Sequence, residues 1–200
     1  MRYAGQRSWQ IREDRWGQHF DWALWVRAVE RIDVPPGGIV PGPLLIESLP
    51  EPSPGLDGAV LAREWRAWWR AWWRALCDLP ERDAGLRREL PSGVGLDEQS
   101  LLGEVLTRRF LEVQHWHGER KRAGLRGHLH LSGTHASTVV AEVERELGRR
   151  AKPFVLTIDV LPVADREVRG ISETRFLVPE GIRDGTEWAE VLRGLVEPLA

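Results

Sequence analysis

Histidines are concentrated in one stretch of this sequence. Five of the six lie between residues 115 and 135, at His115, His117, His128, His130 and His135. In a β-strand, residues two apart share a face, so the alternating segment LRGHLHLSG is expected to point His128 and His130 the same way, about 6.5–7 Å apart. His135 follows a Ser-Gly turn and opens a helix, which lets it fold back toward that strand end. Imidazole is the commonest metal ligand.

The spacing therefore allows a divalent metal such as zinc at His128, His130 and His135, with Asp159 from a neighbouring strand. No HExxH or other known ligand spacing is present. We therefore first interpret these histidines as polar residues of a solvated sheet face. A metal site is the alternative, and metal-free acid–base or phosphate chemistry is a further one. No other cofactor is expected, because no glycine-rich phosphate-binding motif occurs.

A second candidate site is a carboxylate pair on a predicted hairpin. Asp159 and Glu173, with Arg175 two residues on, loosely resemble the D…ExK metal site of nucleases, in which two carboxylates hold a hard cation. Arginine stands where lysine is usual, and it does not deprotonate at neutral pH. The alternative is plain ion pairing, either of Glu173 with Arg175 or of Asp159 with Arg169.

A third pattern is the segment EWRAWWRAWWRAL, which predicts an amphipathic helix. At about 100° per residue its large apolar side chains fall within an arc of about 140°, in the set Trp65, Trp68, Trp69, Trp72, Trp73 and Leu76. We expect the middle of this arc to be core, and Trp68 and Trp73 at its edges to stay partly exposed. Arg66, Arg70 and Arg74 lie on a separate face. With these two tryptophans they form a predicted binding surface for another protein, because Trp and Arg anchor protein interfaces.

The elements around these residues predict an α+β fold. Helical periodicity covers 13–32, 58–79, 96–121, 135–149 and 184–199, and strands are predicted at 125–133, 152–163 and 166–179. The strand at 152–163 is apolar on both faces, so it is expected to be central, with 166–179 as its antiparallel partner. We expect a small mixed sheet of three or more strands, mostly within 125–180, packed against four to five helices. The chain is predicted to be one domain, residues 1–200, in which residues 1–124 are helical and residues 125–200 have the order β-α-β-β-α.

Composition limits the function classes. The formal charge is −2, from 28 basic and 30 acidic residues, so bulk charge does not favour nucleic acid. No apolar run is long enough to span a membrane, and the first residues do not have the pattern of a signal peptide. The single cysteine, Cys77, excludes an internal disulfide. Arginine greatly outnumbers lysine and asparagine is absent, which suits a GC-rich bacterial genome. We expect a bacterial cytoplasmic protein.

No coherent catalytic set accompanies the large supply of tryptophan. The sequence therefore favours a non-enzymatic protein that acts by binding another protein, as an adaptor, an immunity-type protein or a complex subunit. The alternative is a metal-dependent hydrolase or nuclease that uses His128, His130 and His135. The partner, the substrate and the oligomeric state are not determined by these residues.

Overall fold

The structure, a computed structural model, describes residues 9–78, 96–97, 99–128 and 134–200. Within these ranges it contains six helices and a four-stranded mixed sheet, which confirms the α+β fold. The elements in chain order are β1 Gln10–Asp14, α1 Gln18–Val29, α2 Gly58–Asp78, α3 Leu101–His128, α4 Thr134–Leu147, β2 Val155–Leu161, β3 Arg169–Ser172, β4 Arg175–Pro179, α5 Glu180–Arg183 and α6 Trp188–Val196. None of the described helices is long and apolar enough to cross a membrane.

The sheet has the strand order β1-β2-β4-β3. β1 and β4 both run parallel to β2, and β3 is antiparallel to β4 at the edge. One apolar cluster joins α1, α2 and α3 to Leu161, Ile171 and Leu177 of the sheet. A second joins α4 and α6 to Ile158 and Val178. The sheet thus lies between two groups of helices, because its central strands are apolar on both faces.

The predicted strand at 125–133 is wrong where the structure describes it, since α3 continues through His128. The helix continues through Gly124, beyond the predicted range 96–121. A Cβ at position 124 would lie 2.9 Å from Cζ2 of Trp16, so the glycine lets the indole pack close to the helix backbone. Residues 129–133, which include His130, lie outside the described residues.

Two other sheet predictions are corrected. Residues 10–14 form β1, a strand that was not predicted and that overlaps the start of the predicted helix 13–32. The segment 166–179 is not a single antiparallel partner of β2. It is itself a hairpin, β3 and β4, and it is β4 that pairs with β2, in parallel. The loop from β2 to β3 carries the chain past β4 to the sheet edge before it returns.

Candidate functional site

The predicted histidine metal site has no geometric support in the described ranges of the chain. His128 is the last residue of a helix. The prediction that it shares one face of a β-strand with His130 is therefore wrong for His128. His135 lies in the first turn of α4. Among the described residues, no three His, Cys, Asp or Glu side chains converge in a way that could hold a metal ion.

Asp159, the predicted fourth ligand, binds a guanidinium instead. Its carboxylate accepts hydrogen bonds from Arg175 Nε at 2.6 Å and from Arg175 Nη2 at 3.0 Å. Glu173 is exposed and lies two residues before β4. The residue of β4 that pairs with Asp159 is Leu177, four positions later in the chain. The nuclease-like pair is therefore not formed. An ion pair is present, although not one of the two predicted from the sequence, because Arg169 binds Asp165 and Glu167.

The pair of Asp159 and Arg175 lies with the buried Trp72 and the half-buried His19, whose Nε2 atom is buried, in a group that we call the buried polar centre. The His19 ring stacks on Trp72 with 4.4 Å between ring centroids. Burial, and secondarily the charge of Arg175, lowers the pKa of His19 from 6.5 to about 3. Three buried nitrogens of this centre have no hydrogen-bond partner among the described residues: His19 Nε2, Trp72 Nε1 and Arg175 Nη1.

Sequence reasoning missed His19, although a signal for it was present. It lies in the first turn of α1 and precedes Trp22, Ala23 and Val26 at the i+3, i+4 and i+7 positions, all of which are buried. A histidine on the apolar stripe of a helix is predicted to be buried and neutral. His19 stands alone in the sequence, far from the five clustered histidines, so spacing between histidines gives no sign of it.

The depressed pKa of His19 predicts a pH-dependent stability. The unfolded chain binds a proton at His19 as the pH falls through about 6.5, whereas the folded chain does not until about pH 3, so acid favours unfolding in this window. Relative to His19→Gln, the wild type should lose up to about 1.4 kcal/mol of unfolding free energy per pH unit between about pH 6 and pH 4. Urea unfolding at a series of pH values measures this. The exposed His115→Gln is the control and should follow the wild type; parallel curves for wild type and His19→Gln would contradict the prediction.

A separate ion network joins α1, α3 and α5. The carboxylate of Asp21, 1% exposed, lies 2.8 Å from His117 Nδ1 and 3.1 Å from Arg120 Nη1. Arg120 also donates to Glu180 and to the backbone carbonyl of Arg15. A buried carboxylate requires such partners, so the network holds two helices of one group against the end of β4. The sequence analysis did not predict that these side chains come together.

The surface of α2 carries a row of arginines formed by Arg63, Arg66, Arg70 and Arg74, which we call the arginine row. Arg66 is half-buried and the other three are exposed. The row extends over about 16 Å of helix. No ion pair neutralises it within the described residues. In contrast, arginines elsewhere do form ion pairs, at Arg15, Arg31, Arg109, Arg120, Arg122, Arg166, Arg169, Arg175, Arg183 and Arg193.

The two tryptophans at the edges of the apolar arc have different environments. Trp73 is half-buried, as predicted, on the side of Arg66. Trp68 is only 1% exposed, so the prediction that it stays exposed is wrong. One turn before it, Glu64 accepts a hydrogen bond from the backbone N–H of Leu102 at 2.8 Å. The start of α3 therefore covers this edge of α2, and Trp68 becomes core.

The buried polar centre and the arginine row are thus two places where the described chain holds polar groups without protein partners. No protein-family model, no curated protein and no solved structure matches this chain.

Proposed function

We propose that this protein acts by binding an acidic surface of another protein through the arginine row, with Trp73 at its border. The observation that supports this most directly is the contrast between the row and the rest of the chain. Four arginines follow one another on one helix without a carboxylate partner in the described residues, whereas most other arginines are paired. Like charges this close repel one another, and an acidic partner would relieve that repulsion.

The burial of the tryptophans favours a protein over other acidic partners. Binding of single-stranded nucleic acid uses aromatic side chains for base stacking, and a membrane-surface helix needs an exposed apolar face. On α2 the large aromatic residues are packed in the core, at Trp65, Trp68, Trp69 and Trp72. The exposed face offers arginine and alanine, which suits charge-assisted hydrogen bonds with carboxylates.

The remaining elements of the proposal come from composition. We place this role in the cytoplasm of a bacterium, on the arginine-rich, asparagine-free sequence with one cysteine. No observation on the described residues favours the alternative of a metal-dependent hydrolase or nuclease.

Site-specific cross-linking tests the proposal. A photoreactive amino acid in place of the exposed Ala67, beside the arginine row, should cross-link the partner in a lysate of the source organism, where mass spectrometry identifies it. The purified partner is then titrated calorimetrically. Arg70→Glu/Arg74→Glu should weaken its binding by about 10–100-fold, because two attractions become repulsions, and the loss should shrink at high salt.

The matched control is Arg108→Glu/Arg145→Glu, which makes the same change in net charge at two exposed arginines on α3 and α4. This variant should bind as the wild type does. Equal weakening by both double variants would mean that only net charge matters. Unchanged binding by Arg70→Glu/Arg74→Glu would place the interface elsewhere. Either result contradicts the proposal, provided that the variants keep the wild-type melting temperature.

A further inference from the structure

We infer that the buried polar centre, together with the N-terminus of α1, forms a binding site for a small oxyanion such as a carboxylate or phosphate. This inference is independent of the proposed protein interface, because its residues belong to α1, β2, β4 and the buried face of α2 rather than to the arginine row. It rests on two sets of hydrogen-bond donors without acceptors among the described residues. His19 links them, because its backbone N–H belongs to the first set and its ring stacks on Trp72 of the second.

The first set is the start of α1, a helix of 12 residues. Its N-cap is Gly17, which has no side chain to cap the helix. The backbone N–H groups of Gln18 and His19 have no acceptor in the ranges of the chain that the structure describes. Free N–H groups and the positive end of the helix dipole favour an anion at such a terminus.

The second set is Arg175 with Trp72. Only 5% of the Arg175 side chain is exposed, and Asp159 holds the guanidinium through Nε and Nη2. The remaining nitrogen, Nη1, is buried without an acceptor among the described residues, as is Trp72 Nε1. Trp72 stacks on His19, and the charge of Arg175 contributes to the lowered pKa of the His19 imidazole. The carboxylate thus orients the arginine and leaves one donor nitrogen for a ligand.

The chemistry of these groups selects the ligand. Trp72 Nε1, Arg175 Nη1 and the helix N–H groups can only donate hydrogen bonds, so the occupant must present several acceptor oxygens. Buried donors are satisfied in native proteins, by protein, ligand or ordered water. Asp159 and the exposed Asp14 oppose a large negative charge, so we expect a small anion held with millimolar affinity.

Nuclear magnetic resonance of the intact chain tests the inference, with sodium acetate and sodium phosphate as probes and sodium chloride at equal ionic strength as control. The indole N–H signal of Trp72, assigned by Trp72→Phe, should shift and saturate with acetate or phosphate, and the comparison of the two probes tells which oxyanion is preferred. Bound phosphate, which keeps its negative charge at acidic pH, should raise the pKa of His19 by about one unit or more, as measured from the chemical shifts of the His19 ring protons.

Two variants locate the effect. Asp159→Leu/Arg175→Met, which removes both charges together, should abolish the Trp72 shift, while Arg70→Glu/Arg74→Glu should keep it and so separate this site from the arginine row. The inference is overturned if neither probe moves the Trp72 and His19 signals. It is also overturned if a long-lived water contacts the Trp72 indole N–H and persists in the presence of both anions, because water then satisfies these donors.

Discussion

Trp69→Ala is expected to lower the free energy of unfolding by about 3–5 kcal/mol, a large share of the stability of a typical domain. Trp69 is 2% exposed, stacks on Trp65 with 5.2 Å between centroids, and donates from Nε1 to the carbonyl of Ile39 at 2.7 Å. Truncation leaves a cavity and an unpaired carbonyl, and both raise the cost. Urea denaturation measures the change.

Two further variants define the source of this loss. Trp69→Phe keeps most of the ring and loses only the indole donor, so it should cost about 1–2 kcal/mol. Trp73→Ala removes the same side chain from a half-buried position on the same helix, and should cost clearly less while weakening partner binding. Similar losses for Trp69→Ala and Trp73→Ala would show that burial does not distinguish the two positions.

Asp159→Leu is expected to lower the free energy of unfolding by about 3–5 kcal/mol, because it leaves the guanidinium of Arg175 buried without its carboxylate. Both side chains are almost fully buried, at 3% and 5% exposed. The neighbouring His19 cannot replace the carboxylate, because imidazole carries no negative charge in either of its protonation states. Thermal and urea unfolding of the variant give the difference.

The double variant Asp159→Leu/Arg175→Met should be more stable than Asp159→Leu alone, because no charge of this pair then remains buried. The exposed pair of Glu119 and Arg122, with side chains 50% and 60% exposed, provides the control. Glu119→Ala removes a carboxylate from an ion pair in the same way and should cost less than about 1 kcal/mol. A comparably small cost for Asp159→Leu would contradict the expectation.

The helices were the most predictable elements of this chain. The predicted range 58–79 corresponds to α2, Gly58–Asp78, and 135–149 corresponds to α4, Thr134–Leu147. Helical periodicity depends on residues three and four positions apart, so it can be recognised from the local sequence alone. The burial of Trp65, Trp69, Trp72 and Leu76 is confirmed for the same reason.

Strand partners were less predictable. β1 is a short segment, and its residues form a strand only because β2, more than 140 positions later, provides a parallel partner. The predicted direction of β4 was wrong. The alternating pattern of residues 166–179 is the same whether they form one strand beside β2 or the hairpin of β3 and β4. The close packing of Trp16 against Gly124 of α3 likewise joins residues more than 100 positions apart.

By itself, the sequence determined the α+β class, the amphipathic helices and the exposed arginines of α2, because these follow from local periodicity and composition. Only the tertiary structure decided which charges meet. Asp159 binds Arg175, His19 lies against Trp72, and Glu64 of α2 binds the backbone of Leu102 in α3. Each of these contacts joins segments separated in the chain. Hydrogen bonds and ion pairs act over a few ångströms, so the chemistry of the buried polar centre exists only once the sheet and the helices have brought its residues together.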